Sequence, residues 1–246
     1  MYKHVNSASR LHALLSALLA LPENTQMYSA WAKVFGLSAP NDQRLGQAVV
    51  ERPHWVHYET ELLAQQLHES GISEHLYESA LTRIEGVTSA LQLSTPWQSL
   101  KGNLTPDVVL ALAFCNELLP DEEQSIAGDE LQAIDSQVRE LLEMLKSSAL
   151  PPAVQKLIGH HLELIQQALA RYPIQGAKAL REAGRTALGE LIESKESVAS
   201  SKGSPEVSKL EKLWKHVNVA ADTAMKAERV AQLGQRAWDA VQGFIQ

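Results

Sequence analysis

A single cysteine, Cys115, occurs among the 246 residues, which excludes an intrachain disulfide and any cysteine-rich metal site. It lies in Leu112-Ala113-Phe114-Cys115-Asn116, an apolar helical pattern that predicts a buried, inert thiol and fits a reducing, cytoplasmic compartment. Aromatic residues make up only 5% of the chain, so the core must be built from Leu, Ala, Val and Ile. That composition suits helix-on-helix packing better than sheets. No apolar run reaches the roughly 18 residues needed to span a bilayer, which argues against stable membrane insertion.

A basic excess is also missing. The formal charge is -7 and the pI about 5.7, with acids interleaved among the bases, which argues against nucleic acid as the main partner. Phosphate-binding loops of the G-x-x-x-x-G-K-[ST] type, dinucleotide fingerprints and G-x-S-x-G elbows are absent. Leu11 to Leu21 could pass for a signal-peptide core. However, His12 and Ser16 interrupt it, no small-x-small site follows, and its leucines keep an amphipathic period.

What is present is helical periodicity. The best-specified stretch is Pro151 to Ser194, read as two helices folded back through Tyr172-Pro173-Ile174-Gln175-Gly176. Val154, Ile158, His161, Ile165, Ala168 and Tyr172 line one face of the first helix. Leu180, Ala183, Ala187 and Leu191 line the second, beside Gly184 and Gly189, and such small residues permit close helix approach.

Upstream, a first helix capped by Ser7 or Ser9 runs to about Leu21. A long third helix, from Asn41 to about Glu69, contains Pro53 and is expected to kink or break near Arg52. Thr105-Pro106 starts a helix over 107–119 that is nearly all apolar, predicting a central element buried on most sides. Asp121, Glu122 and Glu123 read as an acidic loop. These patterns define an all-α fold of about eight to ten helices with no β-sheet. Residues 1–193 form a bundle domain, 194–204 a flexible linker and 205–246 a C-terminal amphipathic arm.

Candidate chemistry is sparse. His54 and His57 with Glu59 and Glu61, and His160-His161 with Glu163, lack the two-ligand helix pattern of zinc enzymes, so neither a metal nor a cofactor is assigned. Arg52 and His57, with four residues between them, resemble the active motif of the HEPN ribonucleases, an all-helical family of bacterial conflict systems. The resemblance covers six residues. It implies that His57 assists proton transfer on a 2′-hydroxyl and that Arg52 stabilises the phosphate. Without it, both read as solvated helix-surface residues.

The expected function is instead non-enzymatic: protein–protein contact or self-association by a bacterial-type helical protein. Defence and toxin systems are the setting its style resembles. The C-terminal stripe supplies the contact residues, Trp214, Leu233, Trp238, Val241 and Phe244. A membrane-active role for that same stripe is the remaining alternative, against which its mixed polar face argues.

Overall fold

The computed structural model describes residues 5–37, 43–194, 199, 201 and 203–225. Among them are ten α-helices, three short 3-10 turns and no strand, so the all-α reading holds. In chain order the helices are α1 (Ser7–Leu19), α2 (Met27–Val34), α3 (Gln43–Glu69), α4 (Glu78–Thr88) and α5 (Trp97–Leu100). They continue as α6 (Pro106–Leu118), α7 (Gly128–Leu145), α8 (Pro152–Gln175), α9 (Ala177–Glu193) and α10 (Pro205–Ala224). Two compact units result. The first is Met1–Glu122 with Pro173–Gln175; the second is Glu123–Tyr172 with Gly176–Gln246. The division therefore falls after Glu122, where the sequence reading had one bundle continuing to residue 193.

In the first unit α1 packs against α2, α3 and α6. Ala8, Leu11, Leu15 and Leu18 are fully buried, as the leucine period implies. The cap of α1 is Asn6 rather than a serine. Its Oδ1 accepts from the Ser9 amide while the Ser9 hydroxyl accepts from the Asn6 amide, a reciprocal capping box. Among the polar groups buried in the unit is the Arg10 guanidinium. Its Nη2 lies 2.7 Å from Glu59 and 2.6 Å from Glu122, and its Nε donates to the Ile174 carbonyl at 2.9 Å. Glu122 also accepts from Ser7 and Gln66, so the expected acidic loop carries a partly buried counter-ion. Helix α3 is continuous through Pro53, so of the kink or break expected near Arg52 the break does not occur.

In the second unit α10 packs most extensively against α9 and then α7. Val154, Ile158, His161, Ile165 and Ala168 of α8 are buried, as are Leu180, Ala183, Ala187 and Leu191 of α9. Close approach, expected within the hairpin, is realised between α9 and α10: a Cβ on Gly184 would fall 2.5 Å from Asn218 Oδ1. The first half of the segment read as an arm thus belongs to a core, through Leu210, Leu213, Trp214, Val217 and Ala221. The expected linker lies largely, and residues 226–246 entirely, outside the described residues.

The hairpin turn is shorter than expected, because α8 continues through Pro173 to Gln175 and Gly176 alone reverses the chain. Gly176 has φ 66° and ψ -156°, a conformation that side chains with a Cβ rarely adopt. A Cβ there would fall 1.9 Å from Glu123 Oε1, whose carboxylate accepts from the Ala177 amide at the start of α9. Strain and the displaced cap act together. Gly176→Ala should lower unfolding free energy by about 2 kcal/mol or more, and urea titration followed by circular dichroism checks it.

Candidate functional site

Helix α6 explains where the apolar surface of the first unit goes. Val108, Leu112, Cys115 and Leu119 face inward and are buried. The opposite face, which the sequence reading also expected to be covered, is open. Leu110, Phe114 and Leu118, spaced four apart, are 55%, 62% and 56% exposed. With Leu76, itself 63% exposed, and with Ile72 and Tyr77, they line a groove of about 360 Å³. Ala111 and Cys115 lie in its lining and Asp107 at one end. The reason for the failed expectation is geometric: α6 is apolar on two opposed faces, and α1 and α4 cover only one.

Cys115 does not make the groove reactive. Burial pushes its thiol up to about 11, so the thiolate needed for nucleophilic attack is scarce at neutral pH. Asp107 is held by Arg83 at 2.9 Å; Arg83 also donates to the Gly102 carbonyl and the Thr105 hydroxyl. What the groove offers is shape and apolar area. A cleft of this kind accepts side chains from one face of a helix.

The Arg52–His57 pair is arranged differently. Five residues of helix separate the two by about 140° around the axis and about 7.5 Å along it. Arg52 is buried, with its guanidinium 4.9 Å from the Trp55 ring centroid and 5.5 Å from that of Phe35. Burial lowers its pKa, with Glu51 opposing. His57 is half-exposed, its Nε2 3.6 Å from Glu61. Their side chains thus sit in separate environments, one against two aromatic rings and the other beside a surface carboxylate.

Trp214, read from the sequence as a contact residue, is instead completely buried. Leu233, Trp238, Val241 and Phe244 lie outside the described residues. Trp214 Nε1 donates to His161 Nδ1 at 3.1 Å, which fixes the proton of the neutral imidazole on Nε2. That nitrogen lies 3.3 Å from Glu190 Oε2, too poorly aligned for a hydrogen bond, while His160 meets Glu190 Oε1 at 3.0 Å. Among the described residues no three His, Cys, Asp or Glu side chains gather as a metal group. No helix among them is long and apolar enough to cross a membrane. No family model, curated protein or solved structure matches the chain.

His161 has a pH consequence for the second unit. Desolvation pulls it down to about 4, with Glu190 opposing and His160 assisting. A histidine with a depressed folded-state pKa contributes stability above its unfolded value, near 6.5. That contribution is lost as pH falls toward about 4 and amounts to about 3 kcal/mol. Urea midpoints at pH 7 and pH 4.5 should fall more steeply for the wild type than for His161→Gln; equal slopes would contradict this.

Proposed function

We propose that this chain is a non-catalytic interaction protein whose contact surface is the apolar groove between α6 and the turn that precedes α4. The observation that carries the reading is the exposed stripe of Leu110, Phe114 and Leu118 facing Leu76 across one cavity. Scattered exposed apolar residues need no explanation, but four large ones lining one concavity form a patch suited to a protein partner. The groove binds the apolar face of an amphipathic helix, with side chains three and four residues apart seated along α6. The sequence pattern of residues 226–246, with Leu233, Trp238, Val241 and Phe244, supplies a further apolar stripe for association.

Helix-forming peptides displayed on phage and selected on the full chain should enrich apolar residues at three- and four-residue spacing. Those ligands should lose affinity for Phe114→Glu by more than tenfold, while the variant's stability stays within about 0.5 kcal/mol because Phe114 is 62% exposed. Light-scattering mass over a concentration series separates self-association from partner binding. The reading fails if no selected helix distinguishes wild type from variant and both have the same mass throughout.

A further inference from the structure

The groove lies in the acidic part of the chain. Residues 1–122 carry seven Lys and Arg against thirteen Asp and Glu, a net of -6, so the remaining 124 residues account for only -1 of the total of -7. Over residues 69–122, which supply the whole groove lining, there are eight acids and two bases. Both bases are committed: Arg83 to Asp107 at 2.9 Å and Lys101 to Glu23 at 3.0 Å. Glu74 and Glu78, which bracket Leu76 and Tyr77, are exposed, as is Glu117 between Phe114 and Leu118 on α6. None of these three carboxylates has a cation partner among the described residues.

From this we infer that the occupant of the groove is a cationic amphipathic helix of a partner protein. Its apolar stripe would meet Leu76, Leu110, Phe114 and Leu118, and its Lys and Arg residues would flank that stripe and meet Glu74, Glu78 and Glu117. The inference rests on the groove being the contact surface and adds the chemistry of what fills it. Apolar side chains supply the affinity, while unpaired carboxylates around the cleft accelerate encounter with a basic helix and reject an acidic one. A second copy placed face to face is disfavoured by the same charges, since acid would meet acid across the interface.

The test uses two synthetic peptides of about 18 residues, long enough to cover the groove at 1.5 Å per residue. Both share one Leu/Phe stripe; one carries Lys and Arg on its polar face and the other Asp and Glu. Binding to the full chain is read by fluorescence anisotropy at low and high salt. The cationic peptide should bind at least tenfold more tightly, and the gap should narrow as salt screens the exposed charges. In Glu117→Lys and in the Glu74→Lys/Glu78→Lys double variant the gap should close, and in Phe114→Glu both peptides should be lost.

Equal binding of the two peptides, each still dependent on Phe114, overturns the charge assignment and leaves the groove standing. Cationic binding indifferent to Phe114→Glu overturns it too, because the attraction is then diffuse. Binding of neither peptide sinks the groove reading itself.

Discussion

A buried guanidinium organises the first unit. Arg10 sits on the inner side of α1, and taking its charge out of water is tolerable only because two carboxylates and a carbonyl meet it there. Such a pair contributes little net stability against an apolar replacement. Removing one partner, however, leaves a stranded charge and costs about 3–5 kcal/mol. Glu59 comes from α3 and Glu122 from the end of the unit, so the one cation holds three distant stretches in register. The next residue, Glu123, is buried in the second unit and accepts from the first amide of α9. Two adjacent acids thus satisfy one donor set each, on either side of the division in the chain.

With α1 fixed, α6 has one face committed to it and one face left over. Burying both would need another helix over Leu110, Phe114 and Leu118, and none of the described helices lies there. Leaving them in water forgoes roughly 1.5–3 kcal/mol for each large side chain that could have been covered. That uncollected free energy is what a docking helix would gain, which is why the proposed contact surface is the groove and not one of the polar clusters. The Trp214–His161 pair, by contrast, is enclosed in the core of the second unit with the partly exposed Glu190 at its edge; its consequence is pH-dependent stability.

Periodicity made much of the fold legible. The buried faces of α1, α8 and α9 follow from three- and four-residue spacing, because an apolar stripe must meet something. The same rule states a demand for cover without naming its source. Hence α10 read as an arm, though α7 and α9 cover it, and α6 read as buried all round, though one side is open. Pro53 did not break α3. Pairings such as Arg10 with Glu122, separated by 112 residues, leave no local trace at all. The groove had a faint signature: a helix apolar on opposed faces, begun by Asp107 and ended beside Glu117.

Average charge concealed a second feature. A net of -7 over the whole chain argues only against a polyanionic partner. Once the fold divides the chain, nearly all of that charge belongs to the unit that carries the open apolar face. An apolar patch alone is sticky toward any hydrophobic surface, including its own copies. Exposed carboxylates without a cation partner among the described residues, with both bases of residues 69–122 held in internal ion pairs, are what would make the same patch selective in the proposed complex. On the proposed reading, affinity would come from Leu110, Phe114 and Leu118 and discrimination from Glu74, Glu78 and Glu117, so each could be altered without the other.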